Sequence, residues 1–171
     1  MSERVVLVDA AGAVIGSAEK LEAHRAPGML HVAFSVVVLN PHGGVLLQRR
    51  ASEKHHFRGL WSNTCCSHPR PGEPVVSAGE RRLAEEMGFT TRLVDVGSFT
   101  YRATDPDSGL VEHEVDHVLV GRHRGDPDPD PAEVGAWRWV EFGSLMADVA
   151  ARPGRYTPWL PQVLELVDAE L

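Results

Sequence analysis

Five residues of this chain could hold a divalent ion if the fold brings them together: His24, His31, His68, Glu112 and Glu114. Glu112 and Glu114 lie two apart in a stretch that reads as a strand, so they share a face. Side-by-side carboxylates repel unless a cation sits between them. Three imidazoles and two carboxylates form a mixed nitrogen and oxygen donor set suited to a first-row divalent metal, unlike the thiolate-rich tetrahedral sites of structural zinc. The plain alternative for Glu112-His113-Glu114 is a solvated strand face. His42, His55, His56, His117 and His123 fall in turns, in a polar loop or on an unpaired strand face, and read as surface or hydrogen-bonded residues.

Two further patterns could carry chemistry. Cys65 and Cys66 are the only cysteines and are adjacent. Neighbours do not staple a fold, so free thiols in a reducing, cytoplasmic setting are expected. Strand alternation places Cys66 on the face of His68 and turns Cys65 to the other. Cys66 is then reactive if it lies near a metal and basic groups, and inert if it is simply buried. Arg82 and Glu86 stand at i, i+4 and share one face of a helix, where an ordinary surface ion pair is the simpler reading.

The elements that must position these groups are partly legible. Residues 4–9 and 31–39 read as strands, and the turn at 40–44 returns 45–49 as a hairpin partner to the second. Residues 51–60 are polar and irregular, and 61–68 are short and extended. Pro74 opens a helix that runs to about Met87 with Gly88 as its stop; Val76, Leu83 and Met87 form its core stripe. A second hairpin joins 92–102 to 110–120. A stiff acidic loop (126–131), a last strand (136–141) and helices near 143–151 and 158–170 complete an α+β chain. A mixed sheet with helices outside follows.

The 171 residues, 43% hydrophobic and 24% charged, fit one soluble domain spanning 1–171. A formal charge of -7 with no Lys/Arg run argues against nucleic acid as partner. No stretch approaches the ~20 apolar residues that span a bilayer, the N-terminus lacks a signal-peptide pattern, and a monomer is expected.

The segment 72–89 resembles a degenerate Nudix box. It keeps Gly72, Arg81, Leu83, Glu85, Glu86 and Gly88. Read forward from Gly72, Ala78 stands where the pattern has its first Glu, and Arg82 stands where the second belongs. Loss of two magnesium-gathering carboxylates should cripple hydrolysis of a nucleoside diphosphate derivative. The segments EKLEAH (19–24), TCCSHP (64–69), YRATDP (101–106), EHE (112–114) and TPW (157–159) together resemble the type 1 isopentenyl-diphosphate isomerases across about residues 5–160.

That resemblance implies a Nudix-like α/β/α sandwich around a central mixed sheet and a metal-dependent, flavin-free isomerase. By the same resemblance, His24, His31, His68, Glu112 and Glu114 hold manganese or magnesium. Cys66 and Glu114 are the catalytic groups, with Tyr101 beside Glu114. Glu86 and the backbone carbonyl of Cys66 help hold a second magnesium on the diphosphate. Lys20, Arg50, Lys54, Arg82 and the Ser67 backbone grip the phosphates, and Trp159 lies against the hydrocarbon of an isoprenoid diphosphate. A core-capping role is the competing reading of Trp159. His113 replaces the Asn common in the middle of EHE and should turn away from the metal. A scaffold on an inactive fold of this type would lack turnover while keeping metal.

Overall fold

The computed structural model describes residues 3–171. Nine strands, β1 (Arg4–Val8), β2 (Val14–Glu19), β3 (His31–Leu39), β4 (Gly44–Arg50), β5 (Trp61–Ser62), β6 (Cys65–Ser67), β7 (Val94–Thr104), β8 (Val111–Arg122) and β9 (Val134–Glu141), build a mixed sheet. Among the described residues four α-helices accompany them, α1 (Lys20–Ala23), α2 (Val75–Met87), α3 (Phe142–Ala151) and α4 (Leu160–Asp168), with a single 3-10 turn at Pro153–Arg155.

β3 is apolar on both faces because it is covered on both. Phe34, Val36 and Val38 pack with Cys65, Ala78, Leu83 and Met87 under α2. Val37 and Leu39 pack with Leu145, Leu160, Val163 and Leu164 of α3 and α4 on the opposite side. This is the helix–sheet–helix layering expected from the sequence.

The hairpin expected between β3 and β4 is a turn and little more. Asn40 closes it, its Oδ1 accepting from the backbone N–H groups of His42 and Gly44 at 3.0 and 2.7 Å, but only Leu39 and Val45 pair. β4 leaves to pair with β9 from Gly44 to Arg50. One edge of β3 is taken along its full length by parallel pairing with β8, and the other is shared with β1 and β6. The strand with the strongest apolar signal is thus central and joins three remote segments. β2 and α1 are additional elements. Val14 and Ile15 of β2 are exposed, so no inward-facing alternation marks that strand.

α2 begins one residue later than expected, with extended Pro74 as its cap residue. At its other end Gly88 is left-handed, with φ +75. The acidic loop caps the helix with backbone donors: Asp128 N–H bonds Met87 O and Asp130 N–H bonds Glu86 O, each at 2.9 Å. A Cβ at Gly88 would stand 2.2 Å from the Asp128 carbonyl oxygen. Gly88→Ala is therefore expected to cost about 1–3 kcal/mol from overpacking alone, seen as a lower urea midpoint with an unchanged slope.

Candidate active site

Strand alternation sets one wall of the site. Glu112, Glu114 and Asp116 alternate along β8 on one face and all are buried. Parallel register sets His31 beside Glu114 and Ala33 beside Asp116. On the far side of β8, Tyr101 of β7 lies opposite Glu114. β6 brings Cys66 beside Ser35, and the chain leaving β6 delivers His68. His24 ends α1.

These elements gather His24, His31, His68, Glu112 and Glu114 as expected: one ligand atom from each lies within 4.8 Å of the others, and all five residues are buried. The plain alternative of a solvated strand face for Glu112 and Glu114 therefore fails. His113 turns away, its ring toward the Gly28 carbonyl.

The hydrogen bonds fix which ring nitrogens face inward. His24 Nδ1 donates to Lys20 O at 2.6 Å and His31 Nδ1 donates to Met29 O at 2.7 Å, because a carbonyl can only accept. Their Nε2 atoms point at carboxylate oxygens, His24 at Glu112 (3.2 Å) and His31 at Glu114 (3.0 Å). His68 Nε2 meets the same Glu114 oxygen at 2.8 Å. A neutral imidazole that donates through Nδ1 presents a lone pair at Nε2, which repels a carboxylate unless a proton or a metal cation lies between. The donor set therefore fits a divalent ion, with backbone carbonyls orienting His24 and His31 from behind.

Electrostatics bear out the strain of this grouping. Burial works against the charged form of His24, yet the hydrogen bond and charge of Glu112 raise it to about 9. Burial dominates at His68 and lowers it to about 4. Glu112 is buried too, but its bonds from His24 and His56 hold its carboxyl well below the usual range. Burial and the charge of Glu114 keep Tyr101 a neutral phenol, and it donates to Glu114 Oε1.

Cys66 is half-buried and faces the cleft, while Cys65 is fully buried against α2, as alternation requires. The Cys66 thiol lies 3.1 Å from Asn63 Oδ1 and 3.7 Å from Ser35 Oγ. Burial and the charge of Asp116 push it up to about 12, so it is a thiol at neutral pH.

The cleft is narrow in this structure, with a cavity volume of about 40 Å³. Cys66, Tyr101, Glu112, Glu114, Ser67 and Trp159 line it, with the cations Lys20, Arg50, Lys54 and Arg82. Trp159 belongs to the core and also lines the cleft, its indole N–H donating to Asn63 Oδ1 at 3.2 Å. Arg82 and Glu86 pair at 2.7 Å, but with Glu86 only 1% exposed this is no ordinary surface pair. Glu133 joins them, bonding Lys54 and lying 3.4 Å from Arg82.

Three participants escaped the sequence reading. Asp116 follows Glu112 and Glu114 by the same alternation; it accepts from Ser35 Oγ at 2.7 Å, and burial with the Glu114 charge raises its pKa well above the usual range. Glu133 gave no signal. His56, read as a loop histidine, is instead buried and bonds Glu112.

The box register also needs correction. Counted back from Arg81, the first acidic position falls on Glu73, and Arg81 clasps Glu73 through Nε and Nη2, both at 2.9 Å. Ala78 is a core residue of α2. The box has therefore exchanged one carboxylate, at Arg82, and not two.

The layered fold and this box-bearing helix are those of the NUDIX domain, whose family model matches residues 29–160. Solved structures agree on the fold: a Deinococcus radiodurans protein superposes with a TM-score of 0.78 at 20% identity, covering 95% of this chain and 98% of that one. A MutT protein from Methanosarcina mazei gives 0.67 at 19% identity over 82% and 94%. Closer in sequence are the isopentenyl-diphosphate Delta-isomerases of Halorhodospira halophila, 55% identical over 95% of this chain and 94% of that protein, and of Nocardia farcinica, 54% identical over 96% and 94%. The chain belongs to the isopentenyl-diphosphate Delta-isomerase family.

Proposed function

We propose that this chain interconverts isopentenyl diphosphate and dimethylallyl diphosphate for isoprenoid synthesis, and that it does so with divalent ions and without flavin. The observation that carries this reading is the meeting of Cys66, Glu114, Tyr101 and Trp159 in one cleft beside the histidine–carboxylate cluster.

The reaction adds a proton to the terminal alkene carbon and removes one two carbons away, through a tertiary carbocation or something close to it. An alkene is a very weak base, so the proton must come from a group held in a dry, preorganised pocket. Glu114 and Cys66 are the two exchanging groups, one giving a proton while the other takes one, with roles reversed in the reverse direction. Tyr101, held as a neutral phenol, supports the Glu114 carboxyl through its hydrogen bond. The Trp159 indole offers a face that attracts a cation by about 0.5–2 kcal/mol and no lone pair to capture it. Phe57, edge-on to that ring at 5.5 Å, helps exclude water.

His24, His31, His68, Glu112 and Glu114 would hold manganese or magnesium, whose charge would offset the crowded carboxylates and make Glu114 a stronger acid. Glu86 and the Cys66 carbonyl would share a second magnesium with the substrate diphosphate. Lys20, Arg50, Lys54, Arg82 and the Ser67 backbone would take the phosphate oxygens, so that binding far from the reacting carbons orders the site. The chain would act as a monomer built of one domain.

Incubation with isopentenyl diphosphate in deuterated water tests the reading. Dimethylallyl diphosphate carrying deuterium is the expected product. Release of phosphate without isomer, or no turnover with metal retained, would overturn it in favour of a hydrolase or a scaffold.

A further inference from the structure

Glu112 has a partner outside the five-residue cluster. His24 faces its Oε2, while Oε1 accepts from His56 Nε2. His56 is 7% exposed, and its ring centroid lies 5.2 Å from that of His24. Its Nδ1 has no hydrogen-bond partner among the described residues, so the ring's one hydrogen bond among them is to Glu112.

The chain spends conformational energy to deliver this side chain. Phe57, the next residue, has φ +50, a left-handed backbone that strains a non-glycine residue. The turn sends Phe57 against Trp159 and leaves His56 facing Glu112. Arg50 holds the same point from the other side, its Nε and Nη2 donating to the His56 carbonyl at 3.3 and 3.1 Å. The Arg50 guanidinium also lies 5.6 Å from the Trp159 ring centroid and lines the cleft. Backbone, side chain and cleft cation thus converge on one residue of an otherwise irregular loop.

We propose that His56 is a positioning residue of the metal centre: by donating to Oε1 of Glu112 it stops the carboxylate from rotating and reserves Oε2 for the ion. The proposal rests on the metal reading above. An unpinned carboxylate can offer either oxygen or both, and must lose that freedom when it binds; His56 removes it beforehand. Hydrogen-bond partners of ligating groups are typically worth 10–100-fold in metal affinity.

The test is manganese affinity, measured by competition with a chromophoric chelator, without substrate and independently of turnover. His56→Ala is expected to weaken manganese binding by about 10–100-fold. His56→Gln, whose amide N–H can replace the Nε2 donor, should recover much of the loss. Wild-type affinity in His56→Ala would overturn the proposal. Equal losses in the two variants would also overturn it, since they would assign the effect to packing. Wild-type protein that binds no manganese, or binding that survives both His31→Ala and Glu112→Gln, would instead remove the metal centre itself.

Discussion

Cys66→Ala is expected to lower kcat by about 10²–10⁴-fold, the usual worth of a general acid–base group, while metal content and melting temperature stay near wild type. The thiol lines the cleft and is only half-buried at the margin of the core cluster, so its loss removes a proton carrier at a small packing cost. Its neighbour provides the control. Cys65 is fully buried under α2, and Cys65→Ala should cost roughly 1 kcal/mol of stability, at the low end for core truncations, and leave turnover nearly intact. An alkylating substrate analogue should label Cys66 and spare Cys65. Labelling and loss of activity at Cys65, with Cys66 dispensable, would contradict both the strand register and the assignment of His68.

Exhaustive chelation is expected to abolish turnover, with recovery on adding manganese or magnesium. The cluster explains the size of this effect. Glu112 and Glu114 are buried beside each other, and Asp116 follows on the same face. Without a compensating cation, their oxygens face only the Nε2 atoms of His24, His31 and His68. Glu114 is then held by imidazoles when it should be an available acid. His31→Ala and Glu112→Gln should lower metal content and kcat together, as followed by elemental analysis beside rate measurements. Full activity in metal-free protein would refute the proposed ion, and lost activity with metal retained would give these residues another role.

Much of this site could be read from the chain because its geometry is local. Alternation along β8 pairs Glu112 with Glu114, alternation along β6 separates Cys65 from Cys66, and helical periodicity pairs Arg82 with Glu86. Asp116 was legible by the same rule, two residues further on. What the sequence hides is tertiary. The edge of β3 that a hairpin to β4 would use is held by β6 and β1 while β4 runs on to pair with β9, and no short-range pattern encodes that choice. His56 depends on a left-handed Phe57, where no glycine marks the turn. Glu133 reaches Lys54 and Arg82 only after β9 has joined β4.

The partners that meet around Glu112 and Glu114 are remote along the chain: His24 and Glu112 are 88 positions apart, His31 and Glu114 83, His56 and Glu112 56, and His68 and Glu114 46. Closing such loops costs chain entropy before any contact repays it. An unfolded or partly folded chain therefore offers scattered single donors and no preformed cage. The proposed ion would bind the finished architecture far better than its precursors, acting as a latch on a completed fold and not as a template for making it. By mass action, an ion concentration 100 times its dissociation constant would add about 2.7 kcal/mol to the unfolding free energy. Calorimetric melting temperature should accordingly climb with the logarithm of free metal.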